Sequence, residues 1–154
     1  MADARQQQPD PRSEETSARQ LQVRRVFQAS PDRLFKAWTT PEELRRWHAP
    51  GPLTVALAEI DLRVGGRYRI NMRTPEGVDH RVSGVYRIVD PPRKLVYTWQ
   101  FEGDPIQTEV TLDFVPVGAG TELVLTHRGF HTDQACGNHE KGWLGIFAKL
   151  GASD

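Results

Sequence analysis

The chain has 154 residues, enough for one domain with a hydrophobic core and too few for two domains of ordinary size. Its 20 Lys and Arg residues equal its 20 Asp and Glu residues, and this zero net charge argues against a nucleic-acid-binding protein, which usually carries a basic excess. The sequence has one cysteine, no apolar N-terminal signal segment and no apolar run near the ~20 residues that span a bilayer, which predicts a cytoplasmic protein without membrane contact or intrachain disulfide.

The N-terminal segment is rich in Gln, Pro, Ser and charged side chains and shows no apolar periodicity. Such a composition buries too little apolar surface to offset the entropy lost on ordering. We therefore expect a disordered tail over residues 1–19 and a single folded domain over residues 20–154.

A first strand and two short helices are predicted next. The strand alternates imperfectly through three apolar residues, which are Leu21, Val23 and Val26. Ser30 and Thr40 each precede a proline, the pattern of a helix cap followed by the first helical residue. Glu43 stands where a capping box with Thr40 places its carboxylate.

From residue 53 to residue 128 the apolar period changes to two, as in strands of an antiparallel sheet with one solvated face. Segments rich in Gly, Pro and Asp separate about six strands. The inward-facing positions predicted by this alternation are Tyr68, Ile70, Met72, Val82, Gly84, Tyr86, Ile88, Leu95, Tyr97, Trp99, Phe101, Thr108, Val110, Leu112, Phe114, Leu123, Leu125 and His127.

The last segment returns to a helical period. Its apolar stripe at i, i+3, i+4 and i+7 consists of Trp143, Ile146, Phe147 and Leu150, and Thr132 or Asp133 can cap the helix. Because a sheet with one apolar face needs a cover, we expect this helix to pack across it. The predicted fold class is α+β, a curved antiparallel sheet wrapped around a long C-terminal helix, with two short helices after the first strand.

Several motifs resemble, in the same order, those of the START-like (SRPBCC) superfamily with its helix-grip fold, and within it the activator of heat-shock-protein-90 ATPase homologue (AHSA-type) family. They are SPDRLFKAWTTPEELRRW, DLRVGGRYRINMR, SGVYRIVDPPRKLVYTW, GTELVLTHRGF and KGWLGIFAKL. The family often has two aromatic residues where this chain has Trp47 and His48. The resemblance implies a cavity between sheet and helix that takes lipids, sterols or polyketides in the wider superfamily. It also implies kinship with a two-domain co-chaperone that stimulates a chaperone ATPase.

The inward aromatic residues are the first candidate site, because a cavity for an apolar ligand needs large rigid walls and few polar anchors. The same rings would equally serve as plain core. The predicted ligand-binding set is Trp38, Trp47, His48, Tyr68, Met72, Tyr86, Tyr97, Trp99, Phe114, His127, Phe130, Trp143 and Phe147.

His127 shares the inward parity of its strand, and Tyr86 and Tyr97 bring hydroxyl groups to the same face. A buried histidine of this kind is most often a hydrogen-bonded core residue. The alternatives are that His127 orients a ligand or acts as a general base.

Metal binding and nucleophilic catalysis have weaker signals. His127, His131, Cys136 and His139 include zinc-type ligands, but their spacing matches no standard closed site, so we predict no metal and no cofactor. Cys136 stands near the predicted start of the last helix, where the helix dipole favours a thiolate. No nucleophile elbow G-x-S-x-G is present.

Arginines on the outward parity form the last candidate surface, and they are Arg67, Arg69, Arg73, Arg81 and Arg87. Acids on neighbouring strands, such as Glu109 and Asp113, can balance them, or the face can dock an acidic partner. Three hypotheses follow. The first is a non-catalytic protein that binds a small apolar ligand, the second a chaperone-ATPase activator acting through the Arg face, and the third a cyclase- or hydrolase-type enzyme using the cavity. We expect a monomer or a homodimer.

Overall fold

The computed structural model describes residues 19–152, so the predicted tail lies outside the described residues except for Arg19. Within these residues the chain forms seven strands: β1 (Gln20–Phe27), β2 (Thr54–Ile60), β3 (Arg67–Arg73), β4 (Asp79–Asp90), β5 (Lys94–Phe101), β6 (Thr108–Val117) and β7 (Gly120–Arg128). The same stretch contains three helices: α1 (Pro31–Thr39), α2 (Pro41–Trp47) and α3 (Asp133–Ala152). Among the described helices, none combines the length and the apolarity that a transmembrane segment requires.

The strands form one antiparallel sheet in the order β1-β7-β6-β5-β4-β3-β2. Helix α3 contributes four buried apolar residues to the core beneath this sheet, namely Trp143, Ile146, Phe147 and Leu150. The predicted helix-grip fold is therefore confirmed. Its basis is the alternation along β5, β6 and β7, where the inward side chains of Leu95, Leu112 and Leu125 are wholly buried.

The predicted alternation was wrong at the end of β4. The pairing of β4 with β5 shifts between Tyr86 and Ile88, so that an extra residue enters β4. A bulge of this kind moves every later side chain to the opposite face. Ile88 is consequently 42% exposed, while Val89 is half-buried and packs on the core.

Strand β1 also differs from its prediction, since Val26 is 50% exposed and Phe27 is buried. The strand keeps a regular period of two, with Arg25 on the inward parity between Val23 and Phe27. At this edge of the sheet the Arg25 guanidinium lies 5.4 Å from the centre of the Phe27 ring and donates to the carbonyl of Phe147 at 3.3 Å. A charged residue is tolerated at this inward position because its hydrogen-bonding head reaches the helix backbone.

The helix caps follow the sequence in two cases out of three. Ser30 accepts from the backbone N–H of Arg33 and Thr132 from that of Ala135, as N-caps do. The capping box predicted with Thr40 was wrong, because the Thr40 side chain makes no cap hydrogen bond. The carboxylate of Glu43 instead accepts from the Arg33 guanidinium at 2.6 Å.

Helix α3 is attached to the rest of the domain by cationic side chains that bond backbone carbonyls. Arg19 donates to the carbonyl of His131 at 2.6 Å just before the helix, and Lys149 donates to the carbonyl of Leu53 at 2.9 Å near its end. These bonds satisfy main-chain acceptors that the loops leave open. They tie the start of the helix to the residue before β1 and its last turns to the loop before β2.

We expect Gly84→Ala to destabilise the domain by about 2 kcal/mol or more, because the new methyl group would overlap the backbone oxygen of Thr98 across β4 and β5. The matched control is Gly137→Ala in α3, where a methyl group meets nothing within 4 Å and helix propensity should add up to about 1 kcal/mol. Chemical denaturation of both variants measures the change in the free energy of unfolding, which should be negative for Gly84→Ala and positive for Gly137→Ala. Equal stability of Gly84→Ala and the parent chain would contradict the close approach.

Candidate ligand cavity

A cavity of about 370 Å³ lies between helix α3, the sheet and the loop that follows α2. The sheet contributes Met72, His80, Trp99 and Phe101. The helix contributes Asn138, His139, Gly142, Trp143 and Ile146, and the loop contributes Pro50 and Leu53. His80 and Asn138 are exposed and mark the mouth, whereas Met72, Trp99 and Trp143 are buried and form the floor.

The cavity lies where α3 places a glycine opposite the loop that follows α2. Gly142 has no side chain, and a methyl group added there would lie 4.0 Å from the ring of Pro50. One turn later Gly145 packs closely on the same proline, at 3.2 Å from an added methyl group. The loop therefore contacts the helix at Gly145 and leaves space beside Gly142.

The two tryptophans of the cavity use their indole N–H groups in hydrogen bonds to histidines. Trp143 Nε1 donates to His127 Nδ1 at 2.9 Å, and Trp99 Nε1 donates to His139 Nε2 at 3.3 Å. An indole N–H can only donate, so each histidine must present an unprotonated nitrogen. Both indole N–H groups are therefore satisfied within the protein, and neither is left free for a ligand.

His127 belongs to a fully used chain of hydrogen bonds. Since its Nδ1 accepts from Trp143, its Nε2 carries the proton and donates to the Thr108 hydroxyl at 2.6 Å. That hydroxyl donates in turn to the carbonyl of Trp99 at 2.9 Å. Burial, and secondarily the neighbouring His139, lowers the pKa of His127 well below its ordinary value. Both ring nitrogens are thus occupied by protein groups in the neutral form.

His139 has a fixed tautomer as well. Its Nδ1 donates to the carbonyl of Ala135 one turn earlier in α3 at 2.8 Å, which leaves Nε2 as the acceptor for Trp99. The ring is half-buried, and desolvation lowers its pKa despite the opposing effects of the Ala135 carbonyl and Asp104. The His127 and His139 rings lie 5.1 Å apart, centre to centre.

A second group of the predicted residues surrounds a void of only about 10 Å³, which is room for one water molecule at most. Its members from the predicted set are Trp38, His48, Tyr68, Tyr86 and Tyr97. The phenol of Tyr68 donates to the carbonyl of Thr98 at 2.5 Å, and Tyr97 accepts from the indole of Trp38 at 3.2 Å. Burial raises the pKa of all three tyrosines, so their hydroxyl groups are neutral.

His48 is the exception in this polar group. It is 1% exposed, and its Nδ1 forms no hydrogen bond of normal geometry with the described part of the chain. Burial lowers its pKa to about 4, a contact with its own backbone opposing this only in part. Its ring lies 5.6 Å from that of Trp143 and 6.1 Å from that of Trp99, between the small void and the large cavity.

The structure therefore divides the thirteen predicted ligand residues. Met72, Trp99 and Trp143 line the large cavity, and five others line the small void. The remaining five are buried in the core but line neither space, and they are Trp47, Phe114, His127, Phe130 and Phe147. Sequence reasoning missed several cavity residues, namely Pro50, Leu53, His80, Phe101, Asn138, His139, Gly142 and Ile146. The apolar periodicity of the sequence did predict Phe101 and Ile146 to face inward, whereas no sequence pattern marks the loop and glycine positions as lining a cavity.

The described residues support neither a metal site nor a reactive thiolate. Within residues 19–152, no three His, Cys, Asp or Glu side chains converge as metal ligands do. The structure does not favour the thiolate that a position near the start of α3 would suggest at Cys136, because burial and the nearby acids Glu140 and Asp133 raise the pKa of its thiol.

Four of the five outward arginines form ion pairs with acids on the same face, namely Arg69, Arg73, Arg81 and Arg87. Arg69 pairs with Glu59 across β3 and β2, and Arg81 pairs with Asp79 at 3.0 Å and with Glu102 at 3.2 Å. Further pairs on the sheet are Arg73–Asp79, Arg87–Glu109, Arg128–Glu109 and Lys94–Asp113. The face is therefore a network of alternating charge and not a uniformly basic patch.

Comparison with known families gives a match over most of the domain. The family model described as "Activator of Hsp90 ATPase homolog 1-like protein" matches residues 28–153. The human protein named activator of 90 kDa heat shock protein ATPase homolog 1 is 28% identical over 112 residues, which are 71% of this chain and 29% of that protein. This chain thus spans less than a third of the length of the curated relatives it matches.

Solved structures agree with the fold. An AHSA1 protein from Silicibacter pomeroyi is 30% identical, with a TM-score of 0.76 over 87% of this chain and 96% of that one. A Rhodobacter sphaeroides protein is 26% identical, with a TM-score of 0.77 over 87% and 90% of the two chains. An HSP90 activator from Plasmodium falciparum, 24% identical with a TM-score of 0.68 over 85% and 92%, shares the fold.

We expect His48→Phe to stabilise the domain by about 1 kcal/mol at neutral pH, because it removes a buried nitrogen that has no partner. The folded-state pKa of about 4 lies below the unfolded value of 6.5, so above pH 6.5 the ring is neutral in both states and its titration costs no stability. As the pH falls from 6.5 to 4 the unfolded state binds the proton first, and the domain loses about 3 kcal/mol of stability. The variant should therefore lose less stability on acidification, as measured by denaturant titrations across this range.

The matched control for this variant is His127→Phe. It breaks two hydrogen bonds and strands the Trp143 N–H, so it should destabilise the domain by about 2 kcal/mol or more. Two buried histidines should thus respond with opposite signs. A His48→Phe variant as unstable as His127→Phe would show that His48 Nδ1 is bonded after all.

Proposed function

This chain belongs to the activator of Hsp90 ATPase homolog 1-like family, and on that premise we propose that it binds a small apolar or aromatic molecule in the cavity beside α3. The observation that carries the proposal is the cavity itself. Its volume of about 370 Å³ falls in the range of small-molecule sites, about 300–1,000 Å³.

The lining supports an uncharged aromatic ligand. None of the residues around the cavity in the described chain is Asp, Glu, Lys or Arg. Two indole rings, the Phe101 ring and Met72 offer flat and polarisable surfaces, while His80 and Asn138 offer hydrogen bonds at the mouth. A flat ring system with one polar group at its outer end fits this distribution.

The test uses Gly142→Leu, which places a side chain in the cavity, and N-phenyl-1-naphthylamine, an uncharged fluorescent aromatic probe. We expect the parent chain to bind the probe and Gly142→Leu to bind it ~10-fold more weakly or worse, a loss of ~1.4 kcal/mol. Titration of probe fluorescence measures both affinities. Native mass spectrometry of freshly purified protein complements it, since an adduct that is lost on unfolding identifies the natural ligand.

Gly137→Leu is the matched control, because Gly137 lies in the same helix, does not line the cavity and faces open space. Its probe affinity should equal that of the parent. A parent chain that binds no probe and carries no adduct would refute the proposed function. Equal weakening in both leucine variants would place the probe elsewhere.

A second candidate, stimulation of a 90-kDa heat-shock-protein ATPase, is favoured by the family match and by the names of the curated relatives. For this activity we propose the outer face of the sheet as the contact surface. Its exposed ion pairs contribute little to folding, about 0–1 kcal/mol each, and can re-pair with charges on a partner.

We expect the parent chain to raise the ATPase rate of a purified 90-kDa heat shock protein in a saturable manner. The double variant Arg69→Glu, Arg81→Glu should abolish this stimulation, since it sets each new acid beside an existing one. Probe binding in the cavity should be unchanged, because both residues point outward. A steady-state ATPase assay measures the stimulation by both proteins. An absence of stimulation by the parent chain would refute this second function.

A further inference from the structure

We propose that His139 and His127 are positioning residues that hold the two cavity tryptophans, and that protonation of His139 releases Trp99 and weakens ligand binding on acidification. The inference rests on the proposed function, because it concerns regulation of the same cavity. We call the hydrogen-bonded pairs Trp99–His139 and Trp143–His127 the indole clamp.

The clamp spans the two walls of the cavity. His139 on α3 accepts from Trp99 on β5, and His127 on β7 accepts from Trp143 on α3. Each bond therefore connects helix to sheet, and each fixes a ring that lines the cavity. Preorganised walls increase affinity because less ordering is required when the ligand binds.

The hydrogen bond to Trp99 requires a neutral His139. Its Nδ1 proton is committed to the Ala135 carbonyl, so an added proton can only go to Nε2, the atom that accepts from Trp99. Two N–H groups would then face each other, and the bond between helix and sheet would be replaced by repulsion. The lost bond has no substitute, because an indole nitrogen cannot accept.

The groups around His139 determine which histidine is protonated first. From the sheet and the loops it faces His127, His131 and Asp104, with His80 across the cavity, and its own helix contributes Cys136 and Glu140. Asp104 favours the charged form of His139, whereas burial opposes it. His127 is wholly buried and is also disfavoured by a charge on His139, so His139 is protonated first.

The direction of the pH effect follows. The pKa of His139 is lowered from its ordinary value of 6.5, so the clamp is intact at neutral and higher pH and opens only below this value. Probe affinity should be constant above about pH 7. On acidification it should fall by about 5-fold to about 150-fold, the range of ordinary coupling energies. Far-UV circular dichroism at each pH restricts the comparison to folded protein.

The experiment compares His139→Gln and His139→Leu. Glutamine keeps an uncharged acceptor for Trp99, so His139→Gln should bind N-phenyl-1-naphthylamine more tightly than His139→Leu at pH 7.5 and keep its affinity on acidification. Leucine removes the acceptor, so His139→Leu should bind more weakly at every pH, without a pH dependence. A purely structural histidine would give two equally weakened variants, and unchanged pH dependence in both would overturn the proposal.

A second measurement separates the clamp from the proposed function. The chain has four tryptophans, so their indole N–H signals can be followed individually by ¹H–¹⁵N NMR. The Trp99 signal should shift as the pH falls in the parent and stay constant in His139→Gln. A moving Trp99 signal without probe binding would refute the ligand function alone, whereas a static signal in the parent would refute the clamp.

Discussion

The structure depends on a chain of buried hydrogen bonds that joins the long helix to the centre of the sheet. It runs from the indole of Trp143 through His127 and the hydroxyl of Thr108 to the carbonyl of Trp99. Every donor and acceptor in it is used, which is the condition under which buried polar groups specify one arrangement and do not destabilise the core. These hydrogen bonds connect α3, β7, β6 and β5. They are compatible with only one tautomer of His127, the neutral ring with its proton on Nε2.

Two of the buried hydrogen bonds also hold the rings that line the cavity. The Trp143 indole bonds His127 within this series, and the Trp99 indole bonds His139 separately, so both rings are fixed beside Gly142. The interior is packed differently toward the C-terminal end of α3, where Phe147 meets Phe27 and Trp38 with ring centres about 6 Å apart. Gly142 thus leaves open space at the start of the buried stripe, whereas the aromatic rings around Phe147 fill the space further along it.

The sequence predicted the sheet well, since a period of two over five strands leaves few alternatives once a covering helix is identified. It failed where a single residue changes the phase, at the bulge before Ile88, and where Arg25 takes an inward position through a backbone contact with Phe147. It also predicted that thirteen residues would line a ligand cavity, but it did not distinguish those that border the cavity from those that are packed in the core. That distinction depends on a contact between Pro50 and Gly145, residues far apart in sequence whose approach no local pattern encodes.

The ligand and chaperone hypotheses use opposite faces of the same strands, which makes them physically separable. Along β3, Met72 faces the cavity, while Arg69 points outward to Glu59. The outer network is close to neutral, so long-range attraction to an acidic partner is weak and recognition there would depend on exchanging one set of short-range ion pairs for another. The cavity needs no such exchange, because its apolar walls gain free energy from any well-fitting ring that displaces water. The ligand hypothesis therefore relies on burial of apolar surface, whereas the chaperone hypothesis requires a partner whose charges match the outer face residue by residue.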